Sequence, residues 1–551
     1  KADRGSDTLL LKNTSQPRLG FRVNKIYIDS YYMDPQTQKY PEANRELMKQ
    51  FNEGMLVFNY IGHNDPEVGF TGEGLFSRYE MDHLTNTRLP LFITITCDYC
   101  QFDAEDVSAG ENVFLNPSAG AIALITTTRV VYTDGNDKIN RRLMKRLLER
   151  DSNGSPLRIG DVLKLAKRDF NTEIDKNKLN YVLIGDPALK LAYPEHSIQV
   201  TRINGNSGKK NIEMIPGKNY TVEGEIRSHQ NELLSDFNGY IYYNLYDKEK
   251  QFTTLAHQDK KTWTYTHRPD LLTTGKGTIQ NGTFRITVTL PIDNSHSGKS
   301  GLLNLYAYDE SGREANGYTD KLIVSTAVEP ITEDIQGPDI EFAGINDDSF
   351  TEGILVNNPA TFVCKFSDPS GIWSGNSLGK QMTLSLDGAC IEENVARYYK
   401  PIAESEIPEG EFIYPLPRLS NGLHTLTFKV FDTLGNSSEV TIAFEVKENS
   451  ETYTISLEEE PATERATISC QDQNGNDVTE SKHTRISVTN TLGEEIWSYE
   501  TTENNPFPLT WNLQDNNGKR VSAGQYYCKG YFETSAGTIV TPAKKIVVIT
   551  Q

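Results

Sequence analysis

The sequence predicts a multidomain α/β plus all-β protein: one unit with a parallel sheet, then a series of β-sandwiches. Three observations carry this. Up to about residue 195, apolar runs of strand length alternate with helical stripes. After about residue 197 the apolar period falls to two, as in Phe284, Ile286, Val288 and Leu290. A turn pattern then recurs at Tyr308–Gly312, Ser367–Gly371, Phe431–Gly435 and Thr489–Gly493. In each, an Asp or Asn opens the turn and a Gly follows three residues later, where positive φ is easy.

Taken in order, Arg22–Ile28 reads as a strand. Pro41–Glu53 reads as a helix with Ala43, Leu47 and Phe51 on one face and Gly54 as its stop. Met55–Tyr60 is a strand, and Ser77 with Glu80 has capping-box spacing for a short helix. Leu91–Cys97 is a strand, Gly110–Asn116 a short helix and Ala121–Thr128 a strand. Helices follow over Asp137–Arg150, on the stripe Ile139, Leu143 and Leu147, and over Ile159–Phe170. Tyr181–Ile184 closes the series at the turn Gly185-Asp186-Pro187. Strands alternating with helices imply a parallel sheet covered on both faces.

In the second part, Leu303, Leu305 and Ala307 alternate with polar residues, and so does the run from Leu423 through Phe428 to Val430. Repeated short strands with such turns predict sandwiches. Polar junctions at Glu329–Pro338 and Lys447–Thr452 divide the chain into 1–196, 197–330, 337–448 and 452–551.

With 551 residues the chain has room for about three to five domains. It begins at Lys1 with no Met and no leader, which reads as a processed or truncated piece of something longer. A net charge of −20 argues against nucleic acid, whose phosphates need clustered Lys and Arg. The 27 Tyr and 22 Phe suit a turn-rich, secreted β protein. No apolar run approaches the roughly 18 residues that span a membrane, so attachment there requires a partner. The six Cys fall into regional pairs, Cys97/Cys100, Cys364/Cys390 and Cys470/Cys528. The last two pairs read either as disulfides within single domains or as buried thiols.

The chemistry concentrates between Asn59 and Asp103. N-Y-I-G-H-N-D (Asn59–Asp65) and L-F-I-T-I-T-C-D-Y-C-Q-F-D (Leu91–Asp103) share one build: an apolar strand delivers His63 in one case and Cys97 in the other. Ligands and chemistry collect beyond the carboxyl ends of parallel strands, so the two side chains are expected on one rim. A thiolate nucleophile with an imidazole beside it is the equipment of a cysteine hydrolase. Other readings of Cys97 stand beside it: a buried strand-end thiol, a redox C-x-x-C with Cys100, or half of a zinc site, for which no further ligands lie nearby. His83 reads as a surface side chain.

Six strings carry a resemblance. They are K-I-Y-I-D-S-Y (Lys25–Tyr31), N-Y-I-G-H (Asn59–His63), Leu89–Asp103, S-A-G-E (Ser108–Glu111), G-A-I-A-L-I-T-T-T-R (Gly120–Arg129) and I-G-D-P-A-L-K-L (Ile184–Leu191). In these the region from about Lys25 to Leu191 resembles the C-terminal two-thirds of a gingipain-type (family C25) caspase-fold peptidase domain. It is more similar to the branch that serves as sortase of the type IX secretion system. The stretch Trp511–Tyr526 resembles the Ig-like C-terminal domains of that secretion route.

The resemblance implies Cys97 as nucleophile and His63 as general acid/base. It implies an oxyanion hole from the backbone N–H groups of Cys97 and of Asn64, and no metal or cofactor. It further implies cargo proteins with C-terminal signal domains as substrates. Anionic lipopolysaccharide is the expected amine acceptor. An outer-membrane β-barrel and other sortase-complex subunits are the expected partners, and the cell surface of a Gram-negative bacterium is the expected location. Two positions depart from the family pattern. Asn64 stands where the family usually has Gly; Asn tolerates left-handed φ, so its amide is expected to point inward. Cys100 stands where relatives carry a small residue, and is a candidate redox partner for Cys97. The family's assisting acidic residue and specificity groups lie upstream of Lys1. The alternative is a catalytically silent surface scaffold of the same fold that binds cargo or a β-barrel.

Overall fold

The computed structural model describes residues 20–549 apart from short interruptions, among them 65–68, 71–74, 170–176, 293–297, 326–333, 347–354, 447–452 and 491–494. Helix α1 (Pro41–Glu53) opens on a proline at its first turn and buries Ala43, Leu47 and Phe51. It stops at Gly54, whose φ of 88° only glycine adopts cheaply and whose N–H caps the Gln50 and Phe51 carbonyls.

The elements then follow as strand β1 (Val57–Ile61), helix α2 (Arg78–Asp82), β2 (Leu91–Ile95), α3 (Ala109–Phe114), β3 (Ala123–Thr127), α4 (Thr133–Arg146), α5 (Ile159–Arg168), α6 (Asn177–Asn180) and β4 (Tyr181–Ile184). The capping box at α2 is present: Glu80 accepts from the Ser77 N–H at 2.7 Å. Helix α4 starts at Thr133 rather than at Asp137. The apolar stripe begins only at Ile139, whereas the polar first turn is held by tight packing of Gly135 on Asn177.

The sheet runs β1-β2-β3-β4. The first three strands are parallel, but β4 is antiparallel to β3, Leu124 facing Ile184 and Thr127 facing Tyr181. Here the all-parallel expectation is corrected. Asn180, at the end of α6, already bonds Thr128 just past the carboxyl end of β3, so β4 must run back from there.

Alternation divides the strand side chains between two cores. Phe58, Tyr60 and Phe92 join Phe51, Phe70 and Phe76 on one face. Ile93, Ile95 and Ile125 join Leu143, Val162 and Ala166 on the other. Each such buried large side chain is worth about 1.5–3 kcal/mol against exposure.

The strand expected over Arg22–Ile28 does not form; the segment has no ladder partner and ends in a 3-10 turn, Ile28–Ser30. It lies against a hairpin of the next unit (250–253 with 264–267): Lys25 Nζ donates to the Thr266 carbonyl at 2.8 Å, and Asp29 accepts from the backbone N–H groups of Ala256 and His257.

The next unit departs from an open sandwich. Strands β5 (His196–Ile203), β6 (Asn219–Arg227), β7 (Gly239–Tyr246), β8 (Leu271–Gln280), β9 (Thr283–Thr289), β10 (Leu302–Asp309) and β11 (Glu314–Thr319) pair in the order β6-β9-β8-β7-β10-β11-β5. Strand β5 also pairs with β6, which closes the ring. A register shift between Glu223 and Gly224 bends β6 enough to reach both neighbours. Ile241, Leu245, Ile286, Leu303 and Leu305 fill the interior.

Two further pairs of sheets follow. Four- and five-stranded sheets span 339–446, and three- and five-stranded sheets span 454–548. The Asp–Gly turns form as expected at Gly312, Gly371 and Gly435, with φ of 82°, 96° and 96°. The turn at Thr489–Gly493 lies partly outside the described residues. Leu423 is 78% exposed, so the apolar run there begins at Leu426.

All six cysteines are free thiols. Of the two readings of the later pairs, disulfides or thiols, the thiols are found: Cys364 is buried while Cys390 is exposed, and Cys470 and Cys528 share one core. Among the described residues no helix is long and apolar enough to cross a membrane.

Candidate active site

Strands β1 and β2 pair in parallel from Val57↔Leu91 to Ile61↔Ile95. His63 and Cys97 each stand two residues beyond the last of these pairs, at equivalent places past the carboxyl end of the sheet. His63 is exposed and Cys97 half-buried at the edge of the Ile93–Ile95 core.

The histidine loop is shaped by Gly62. A Cβ there would meet the Tyr60 hydroxyl at 2.3 Å. The bare glycine lets Tyr60 reach forward and donate to the His63 carbonyl at 2.7 Å. Below, Tyr60 stacks on Phe70 at 3.6 Å and Phe70 on Tyr99 at 4.9 Å, which braces both loops from one core.

The two loops are tied directly. Asn64 Nδ2 donates to the Cys97 carbonyl at 3.0 Å. The left-handed residue on this rim is Asp98, with φ of 48°, and not Asn64. The expectation for Asn64 is thereby corrected: its side chain is spent on Cys97, and its backbone keeps an ordinary φ. Among the described residues, neither the Asn64 nor the Cys97 backbone N–H is engaged in a hydrogen bond, leaving both donors open. Burial pushes the Asp98 carboxyl up from its usual range, against the Arg129 guanidinium, which draws it down. Arg129 itself holds Asp103 through two bonds of 3.0 and 2.6 Å at the exposed rim.

The Cys97 thiol donates to the Val131 carbonyl at 3.4 Å, and among the described residues no hydrogen bond joins it to His63. The segment carrying Val131 is held by three asparagines that sequence reasoning missed. Asn177 accepts from the Tyr132 N–H at 3.1 Å and donates to the Tyr132 carbonyl and to Asn136. Asn180 donates to the Val130 carbonyl at 2.9 Å, and Tyr181 donates to Asn136 at 2.8 Å. Asn136 and Asn177 are buried polar residues that no local motif marks in the sequence.

Cys100 points into the other core. Its side chain is 1% exposed, packs against Gly110, and burial pushes its thiol up to about 11. Cys97 lies at the edge of one core and Cys100 inside the other, and both are free thiols. His83 is exposed and stacks on Tyr79.

Metal-type clustering occurs elsewhere. Oxygens of Asp334, Asp368 and Asp432 lie within 4.8 Å of one another. Burial pushes the Asp368 and Asp432 carboxyls up, yet each also accepts N–H groups of its own turn, from Ser370 and from Gly435 and Asn436.

Fold and rim together give a sheet with a His and a Cys just past the ends of neighbouring parallel strands. Residues 4–192 match the model of Peptidase family C25. Among solved structures, the chain is similar to dimeric latent PorU from Porphyromonas gingivalis, at 24% identity over 79% of this chain, with a TM-score of 0.33. It is also similar to the complex of Porphyromonas gingivalis RgpB pro- and mature domains, at 16% identity over 58% of this chain, with a TM-score of 0.28. The chain spans 41% of the first structure's length and 62% of the second's. No curated protein matches it.

Proposed function

We propose that the chain is the C-terminal portion of a type IX secretion sortase, a caspase-fold cysteine endopeptidase and transpeptidase of the PorU kind. The observation that carries this reading is the in-register β1/β2 pair, which ends in His63 and Cys97 inside the segment that matches family C25. In the reaction, Cys97 Sγ attacks the carbonyl between a cargo protein and its C-terminal signal domain. His63 takes the thiol proton and returns it to the leaving amine. The open backbone N–H groups of Asn64 and Cys97 receive the oxyanion. The thioester then passes to an amine of anionic lipopolysaccharide, which fixes the cargo at the cell surface. The closing β-sandwiches are Ig-like, and the last of them docks on an outer-membrane β-barrel.

One observation favours a catalytically silent scaffold: the resting thiol donates to Val131 and not to His63. Incubation with a cargo carrying its signal domain separates the two readings. The sortase reading expects signal-domain release that Cys97→Ala abolishes without unfolding the protein. A scaffold binds the cargo and releases nothing.

A further inference from the structure

Asn64 holds an acceptor that nothing among the described residues uses. The carbonyl of Cys97 can only accept, so the carboxamide facing it must present its NH2 group. This fixes the orientation of the side chain and leaves Oδ1 on the opposite side. That oxygen is buried and, among the described residues, has no hydrogen-bond partner. A buried carbonyl oxygen without a donor is costly, and such a vacancy in a rim is filled when a donor arrives. The two ends of the carboxamide are covalently fixed to one another. The orphan acceptor is thus anchored to the residue whose sulfur would hold the acyl group.

We infer that Asn64 Oδ1 receives an N–H of the primary amine that resolves the Cys97 acyl-enzyme. This rests on the transpeptidase reading above and adds to it how an amine competes with water. In that step the amine nitrogen attacks the thioester carbon, the C–N bond forms and the C–S bond breaks. The sulfur leaves as thiolate, and the amine's surplus proton passes through His63 to it. Water is present at enormous excess, so the amine prevails only if it is held in line beside the thioester. A hydrogen bond from one N–H to Asn64 Oδ1 supplies that hold and leaves the nitrogen lone pair free. Water needs no such hold, since it reaches the carbon in many orientations.

The test uses the protein that carries this chain, a peptide thioester as acyl donor and glycinamide as amine. Thioester exchange loads Cys97 directly. Mass spectrometry reads the ratio of peptide amide to peptide acid, a ratio taken per acyl-enzyme formed and thus independent of the loading rate. In the wild type the ratio should saturate with glycinamide. In N64A and in N64G it should fall about tenfold and rise linearly with amine, as expected when one oriented hydrogen bond is lost. An unchanged, saturating ratio in both variants overturns the inference while leaving the sortase reading in place. A wild-type protein that takes up no acyl group at all contradicts that reading, and the inference with it.

Discussion

The thiol of Cys97 donates its proton to the main-chain carbonyl of Val131 at 3.4 Å. That bond engages the thiol with Val131, and among the described residues no hydrogen bond joins it to His63. The segment that carries this carbonyl hangs on Asn177, which bonds both the N–H and the carbonyl of Tyr132.

Replacing Asn177 with Ala should loosen Tyr132 and its neighbour carbonyl. Iodoacetamide should then alkylate Cys97 several-fold faster at neutral pH, while stability drops by about 1–3 kcal/mol for the buried groups left unpaired. A destabilised variant with an unchanged alkylation rate would show that the Val131 contact has no hold on the thiol.

Brief alkylation of the folded wild type should sort the six thiols by burial. Cys97 and the exposed Cys390 should react; Cys100, Cys364, Cys470 and Cys528 should be protected. Burial pushes Cys364 and Cys528 up to about 12 and Cys100 to about 11, which removes thiolate as well as access. For the same reason Cys100→Ser should leave any reductant dependence as it is in the wild type. A loss of that dependence would restore the redox pair.

Gly62 has room for no side chain, because a Cβ would meet Tyr60 at 2.3 Å. Gly62→Ala should cost about 1–3 kcal/mol in urea denaturation, since the Tyr60–Phe70–Tyr99 stack leaves the ring nowhere to go. A loss near zero would mean that the histidine loop is not braced by that stack.

In the unit 339–446, both ring nitrogens of His424 face acceptors: Asp387 Oδ2 at 2.7 Å and the Ser420 carbonyl at 2.8 Å. Burial opposes the charge on His424, but the Ser420 carbonyl and the Asp387 carboxylate outweigh it and push the imidazole up. The folded value exceeds the unfolded one, so the stabilisation is complete below about pH 6.5 and fades as pH rises through the folded value. Asp387 works in the opposite sense. Burial acts to raise it, but the Thr425 N–H and His424 hold it down, so its contribution is lost as pH falls through its folded value. His424→Gln should therefore destabilise this unit more at pH 6 than at pH 9, by urea midpoints. Equal losses at both would contradict the charged pair.

Much of this was legible in the residues. The stripe Ala43, Leu47 and Phe51 with Gly54 behind it marked α1 to the residue, because periodicity and stop signal agree. The equivalent placement of His63 and Cys97 was visible in two parallel strings of like build. What escaped had long-range causes. Arg22–Ile28 reads as a strand by composition, yet its partners are side chains and amides of a hairpin more than 220 residues away. The reversed β4 depends on where α6 delivers the chain, which no local pattern shows. Ring closure through β5 needs two partners for one strand, and alternation only reveals that one face is buried. Asn136 and Asn177 carry no motif, and their role exists only once the chain has folded around Tyr132.

The central claim is that His63 activates Cys97, and covalent loading of Cys97 by a peptide thioester tests it most directly. The account predicts a mass increase at Cys97 in the wild type. It predicts none at that site in Cys97→Ala, and a rate reduced about a hundredfold or more in His63→Ala, as removal of a general base requires. Loading of Cys97 at the same rate with and without the imidazole would contradict it.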